Sequence, residues 1–330
     1  MEEERGQSKP YSKGDGNLPV LSVKGRTIPE AWENSVVELH KNGLWYNRGG
    51  RKDKGNLQVD STMVMEIEEP NSGLFMHKYS VCGWDDLFEY QMEILGAKDS
   101  WVDKTGKSTR WGYHYHERLA DYPGINTPSI NQLEGIIKKL AKKPTTRQLN
   151  AITWVPERDE ESIDPPCLQR VWFGLVPDET TKDEWRLNMN YNFRSRNVMI
   201  AAPMNQSGLA LLQEYVRQRA IEETGMKIKN GRMVDFVDSY HVSAKDQQHL
   251  AKFMSSLTKS REKGESIESR SFSREMVNTM MEDSLSTAEA KIIAETEKLV
   301  PKERLDEEIA HIKSIRQLVY NLNAGLADSE

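Results

Sequence analysis

Cys167 is one of only two cysteines, and it stands directly behind a diproline in Asp164-Pro165-Pro166-Cys167-Leu168-Gln169, ahead of the apolar run Val171-Trp172-Phe173-Gly174-Leu175. Proline fixes its own φ and restricts the residue before it, so this lead-in holds the thiol in one place. Once ionised, a thiol is the strongest ordinary side-chain nucleophile, and nearby arginines favour its ionisation. The same cysteine also reads as a small buried hydrophobe at the start of a strand. Two further stretches carry candidate chemistry. The loop Asn47-Arg48-Gly49-Gly50-Arg51-Lys52-Asp53-Lys54-Gly55 offers backbone amides and guanidinium groups to a phosphate, or is a solvated turn. It lacks the Gly-x-x-x-x-Gly-Lys-Ser/Thr pattern of a nucleotide-hydrolysing loop. Glu89 lies among Leu87, Phe88, Met92 and Leu95, where a carboxylate is either at an edge or functional.

Periodicity predicts the elements that position these groups. A helix starts at Ile28-Pro29 and ends at Asn42-Gly43, 59–68 alternates as a strand, and 85–95 reads as a helix closed by Gly96. The stretch 100–118 reads as a loop whose Trp101, Trp111, Tyr113 and Tyr115 form a cavity wall or pack into the core. Leu133, Ile136, Ile137 and Leu140 mark a helix over 130–142. Strands are expected at 149–155, 168–176, 185–191, 198–202 and 232–242, with a helix capped by Ser207 and stopped by Gly225. The composition becomes highly charged beyond 255, with a linker over 262–273 and helices over 286–300 and 302–323 that pack on the domain or on a partner subunit.

Composition bounds the setting. The chain of 330 residues is 37% hydrophobic and 29% charged, which describes a soluble, polar protein. Two cysteines argue against a disulfide framework, and no cysteine–histidine spacing suits zinc, so no metal is expected. The acidic start excludes a signal peptide and no apolar run is long enough to span a membrane, so a cytoplasmic location is expected. A net charge of −6 argues against DNA or other bulk nucleic acid as a partner, yet leaves room for a local arginine cluster on one phosphate.

The run from Asn192 to Leu212, NFRSRNVMIAAPMNQSGLALL, resembles the thymidylate synthase family, in which an Arg-Ser pair, a Pro-x-Asn and an Ala-Leu-Leu helix follow a Pro-Cys nucleophile. Arg147, Trp154, Pro166-Cys167, Arg194-Ser195, Asn205 and Asp238-Ser239-Tyr240-His241 stand in the family's order, and the resemblance spans roughly 28 to 255. It implies an α+β fold with a large mixed β-sheet packed with helices and one sheet face used for dimerisation. The implied organisation is a flexible N-terminus at 1–18, a catalytic domain at 19–255 and a charged helical extension at 256–330.

The resemblance implies roles for individual residues. Cys167 matches the nucleophile that adds to carbon 6 of a pyrimidine nucleoside monophosphate. Glu89, seven residues before Gly96, matches the glutamate that organises water and relays protons, and Tyr115 the tyrosine that helps remove the carbon 5 proton. Arg194 and Ser195 match phosphate ligands, Arg147 matches an arginine that crosses a homodimer interface, and Arg48 or Arg51 matches a mobile phosphate arginine. Asn205 matches the residue that pairs with the base edge, where an amide suits uracil and an aspartate suits cytosine. Asn197 and His241 match base or sugar ligands. Departures are Gln148 beside Arg147, Leu168 after the nucleophile, Ser243 in place of a tyrosine that contacts the sugar, and a C-terminus without an apolar tail. The implied one-carbon donor is 5,10-methylenetetrahydrofolate or a related reduced pterin. The implied reaction, ranked first, converts dUMP to dTMP; the altered C-terminus and Ser243 support as the alternative a hydroxymethylase acting on dUMP, dCMP or CMP, and a non-catalytic nucleotide- or RNA-binding relative is the remote alternative.

Overall fold

The structure, a computed structural model, describes residues 16–47, 57–73, 76–102, 113–124 and 128–325. Arg48, Arg51, Trp111, most of the N-terminal stretch and the last five residues fall outside it. In chain order the elements are β1 (Val20–Gly25), α1 (Ile28–Asn42), β2 (Leu44–Asn47), β3 (Leu57–Ile67), α2 (Trp84–Ile94), α3 (Tyr115–Ala120), α4 (Gln132–Lys142), β4 (Asn150–Ile152) and α5 (Pro156–Asp159). They continue with β5 (Leu168–Pro177), β6 (Glu184–Asn197), α6 (Ala201–Thr224), β7 (Lys227–Val242), α7 (Gln247–Glu262), α8 (Ile267–Arg270), α9 (Arg274–Leu299) and α10 (Lys302–Gly325).

One mixed sheet of seven strands runs β1-β3-β7-β6-β5-β4, with β2 also paired to β3. Its long central strands β6 and β7 lie parallel, and β5 and β6 antiparallel. In β6, Leu187, Met189, Tyr191 and Phe193 are buried while Asn188, Asn190 and Asn192 between them are not, the two-residue alternation of a sheet with one covered face. The covered face carries α6, whose first half is buried on nearly every side. Gly225, at φ +65, ends that helix in the left-handed conformation that a side chain disfavours.

The expected strand at 198–202 is absent, and α6 begins at Ala201 instead. The physical reason is Asn197, whose Oδ1 accepts the Met199 and Ile200 N–H groups at 3.0 and 3.2 Å and turns the chain out of β6. Pro203 then falls in the first helical turn, where its missing N–H is not needed. Ser207 is therefore not a cap; it is buried inside α6, with its hydroxyl accepting from Gln91 of α2 at 3.0 Å.

The charged C-terminal region is more structured than its composition predicts. Helix α9 starts at Arg274 rather than 286, with Ser273 accepting the Met276 N–H. The expected linker includes α8, and Arg270 donates to Glu33 of α1 at 2.7 and 2.9 Å. Glu33 is joined there by Arg261 at 2.8 Å and His77 at 3.0 Å. Val277, Met281, Leu285, Ile312, Val319 and Leu322 belong to the same apolar core as Trp32 and Phe193. The hairpin of α9 and α10 thus packs on α2 and α6 of its own chain.

Candidate active site

Cys167 sits where the chain enters β5, and its neighbours' backbone groups are bound one by one. A proline has no N–H but keeps its carbonyl, and Arg194 of β6 takes both of these acceptors: Nη2 donates to Pro165 O at 2.6 Å and Nε to Pro166 O at 3.0 Å. The Arg194 N–H donates to Cys167 O at 2.9 Å. The Cys167 N–H donates to the Tyr113 hydroxyl at 3.3 Å and the Leu168 N–H to the Tyr115 hydroxyl at 3.2 Å. The Thr153 hydroxyl closes on Leu168 O. Burial pushes the thiol pKa above its ordinary value, and the Arg194 charge works against that rise.

The thiol opens on a cavity of about 480 Å³, whose wall includes Ser195, Arg196, Asn197, Asn205 and His241, together with Tyr90, Glu93, Tyr113 and Tyr115. That volume lies within the range of small-molecule sites. Asn205 comes from the first turns of α6, at 7% exposure, and stands beside the Tyr90 hydroxyl. His241 ends β7, where Nδ1 lies 3.4 Å from the Ser239 hydroxyl, which itself donates to Asp60 at 2.9 Å.

Asn197 also lines the cavity, but its amide is committed to the fold: Nδ2 donates to Asp246 at 2.7 Å and to Ser243 at 3.4 Å, while Oδ1 holds the turn into α6. The Ser243 hydroxyl donates to Asp246 and lies outside the cavity wall. Arg194 also lies behind the wall, against the diproline carbonyls. Arg147 is exposed on the approach to β4, away from the cavity. Arg48 and Arg51 lie outside the described residues.

The wall carries Glu93 where spacing to Gly96 had pointed to Glu89. Both lie on the same side of α2, one turn apart, and Lys98 Nζ bridges them at 2.9 Å from Glu89 Oε1 and 2.8 Å from Glu93 Oε2. Glu89 faces α9, with Lys291 4.0 Å from its other oxygen. Burial disfavours a charged Glu93, yet His114 and Lys98 overcome it and hold the carboxyl at a pKa of about 2.

Arg196 has no counterpart in the sequence reading. It is 3% exposed, its guanidinium lies over the Phe193 and Tyr240 rings at 4.7 and 5.6 Å, and Nη2 donates to the buried Asp235. Its Nε and Nη1 have no protein hydrogen-bond partner. The signal in the sequence was a charge at the end of an apolar alternation, but its partner lies 39 residues away. Orphaned polar atoms on a cavity wall fit a ligand with acceptor atoms, such as the carbonyl and phosphate oxygens of a nucleotide. Among the described residues no group of three or more histidine, cysteine, aspartate or glutamate side chains could hold a metal ion.

A cysteine at the entry to β5 thus opens on a small-molecule-sized cavity in an α+β fold, and the comparisons define the family. The thymidylate synthase family profile matches residues 62–285, so the chain belongs to that family of one-carbon transferases. A protein of Methanococcoides burtonii named "Putative thymidylate synthase" is 28% identical over 200 residues, covering 60% of this chain and 80% of that protein. A protein of the same name from Methanopyrus kandleri is 25% identical over 209 residues, covering 63% of this chain and 89% of its own length. A "Thymidylate synthase" of Haloferax volcanii is 26% identical over 148 residues, 40% of this chain and 41% of that protein.

Proposed function

We propose that the protein transfers a one-carbon unit to carbon 5 of a pyrimidine nucleotide through a covalent Cys167 adduct, converting dUMP to dTMP. The observation that carries this reading is the Cys167 thiol opening on the same cavity as Asn205, Glu93 and Arg196. Methylenetetrahydrofolate, when bound, supplies the one-carbon unit and, in the methylating outcome, the hydride. Cys167 forms a bond from sulfur to carbon 6 of the base and so makes carbon 5 nucleophilic; the same sulfur leaves when the product is released. Asn205 offers both a donor and an acceptor to the edge of uracil. In this reading Glu93 orders water beside the ring and relays protons through it, and Tyr115, whose hydroxyl also accepts the Leu168 N–H, helps to remove the carbon 5 proton.

Ser195, His241 and the arginines at 48, 51, 147 and 194 remain the candidates for the phosphate and sugar. We place a second copy of the chain on the open sheet face, where Ile152 and Phe236 are exposed at 38% and 36%, with Arg147 reaching across. Two unpaired cysteines suit a cytoplasmic setting.

The test is incubation with dUMP, dCMP or CMP and methylenetetrahydrofolate, with the nucleotide resolved by mass and the folate followed. A methylated uracil nucleotide with dihydrofolate supports the reading. A hydroxymethylated base with tetrahydrofolate overturns methylation in favour of water as the final nucleophile. Nucleotide binding without turnover would leave a non-catalytic relative.

A further inference from the structure

Glu93 is held by residues that the cavity does not need for its own walls. The Lys98 side chain is 5% exposed, and a buried ammonium is costly unless it is fully paired. It has two carboxylates, Glu89 and Glu93, and lies 5.2 Å over the ring of Trp101. His114 brings Nδ1 to 3.6 Å from the other Glu93 oxygen and packs edge-on against the same Trp101 ring. Tyr90 faces Glu93 from the preceding turn of α2, and Lys291 faces Glu89 from α9.

The turn that carries Lys98 is itself pinned from outside. Trp101 Nε1 donates to Thr296 Oγ1 of α9 at 2.9 Å. His311 of α10 meets the Gly96 carbonyl through Nε2 at 3.2 Å. Neither helix reaches the cavity wall, so what they transmit is the position of the lysine. Without that lysine, buried Glu93 would keep His114 but lose its ammonium partner and face the Glu89 carboxylate one helical turn away, so desolvation and like charge together would drive its pKa upward.

We propose that Lys98 is a positioning residue that keeps Glu93 ionised and aimed into the Cys167 cavity, and that the α9–α10 hairpin is the brace that keeps Lys98 in place. The proposal rests on reading that cavity as catalytic. Removing the lysine leaves the walls standing and changes the charge state of one carboxylate. A role limited to stability would lower the melting temperature without moving any pH profile.

The experiment compares the full-length protein with Lys98→Met, Lys98→Arg and Thr296→Val. Two readouts are taken: kcat against pH, and the carboxyl-carbon resonance of Glu93 in protein labelled with 13C at glutamate Cδ, assigned with Glu93→Gln. In the unaltered protein we expect no titration of Glu93 between pH 5 and 8 and no limb from it in kcat. In Lys98→Met we expect the resonance to titrate within that window and kcat to fall about tenfold from its high-pH plateau by pH 6. KM for the nucleotide changes less than twofold, and Lys98→Arg restores both profiles. Thr296→Val, which removes a single outer contact, shifts the resonance in the same direction by less, and it decides the matter if Lys98→Met does not fold. A Glu93 resonance that stays unmoved in folded variants overturns the proposal. If the unaltered protein turns over no nucleotide, the catalytic reading fails on its own and the resonance still decides whether Lys98 sets the ionisation of Glu93.

Discussion

Gly208 lies inside α6, and its missing side chain is what admits Tyr90 to the cavity wall. A Cβ built there meets Tyr90 Cε1 at 2.5 Å and Cδ1 at 2.6 Å, with Ile94 Cγ2 at 3.7 Å. Alanine at this position therefore pushes the ring by roughly 1 Å to reach ordinary contact, and the open side is the cavity. Two effects oppose each other in stability. Alanine gains about 1 kcal/mol over glycine in a helix interior, while overpacking costs about 1–3 kcal/mol. The net loss is then about 0–2 kcal/mol. Unfolding entropy for 330 residues is about 0.7 kcal/mol/K at about 2.1 cal/mol/K per residue, so Tm falls by no more than about 3 °C. Activity responds far more, because a displacement near 1 Å at a reacting site costs about 100-fold. Gly135 in α4 is the control, since a Cβ there meets nothing within 4 Å. Gly135→Ala should raise Tm by about 1.5 °C and leave turnover untouched. The assays are thermal unfolding and kcat/KM for the nucleotide. A Gly208→Ala protein that gains stability like Gly135→Ala and keeps its kcat/KM would refute the assignment of Tyr90 to the working wall.

Three other outcomes follow from the geometry. Because burial raises the Cys167 pKa, alkylation by iodoacetamide should be slow at pH 7 and climb above pH 9, and Arg194→Gln should move the midpoint higher; a midpoint below 8 in the unaltered protein contradicts this. Cys167→Ser should bind nucleotide yet form no covalent adduct detectable by mass, and an adduct in that variant would place the nucleophile elsewhere. Glu33→Ala strands the buried Arg270 and should cost about 3–5 kcal/mol in urea unfolding, since one partner of a buried pair is removed. Against the desolvation that burial brings, His77, Arg270 and Arg261 hold the Glu33 pKa at about 2 instead of 4.5, so its stabilisation is full above 4.5 and lost as pH falls towards 2. Glu33→Ala should accordingly show a shallower loss of stability across that window.

The elements that the sequence reading placed well are those whose information is local. Helix α1 was legible from Pro29 at its start and Asn42-Gly43 at its end, and α4 from four apolar residues at helical spacing. The run 198–202 was not, because a five-residue apolar stretch suits a strand or a buried helix start equally. What separated them was one side chain, Asn197, whose hydrogen bonds cannot be read from a hydrophobic pattern. At the C-terminus the helices expected over 286–300 and 302–323 are present; what escaped was the first part of α9, from Arg274, and α8 inside the expected linker, because their buried faces are narrow and charged residues dominate the composition there.

The site divides along the same line. Cys167, Asn205, Ser195 and His241 were readable because each sits in a short run with a recognisable order, and the structure brings all four to one cavity. Glu89 and Glu93 show the opposite case. They are four residues apart on one helix, so both suit the same face, and counting back from Gly96 cannot choose between them. Only Glu93 reaches the cavity wall; Lys98 bridges both carboxylates, and α9, far downstream, faces Glu89 through Lys291. Arg196 is similar, since its inward charge is tolerable only with Asp235 on the next strand. The residues that the cavity gathers from short ordered runs are thus legible from type and spacing, whereas the ion pairs around them come from contacts the chain makes only once folded. A substitution at Lys98 or Asp235 should therefore alter pH dependence and fit at a cavity whose Cys167 and Asn205 remain intact.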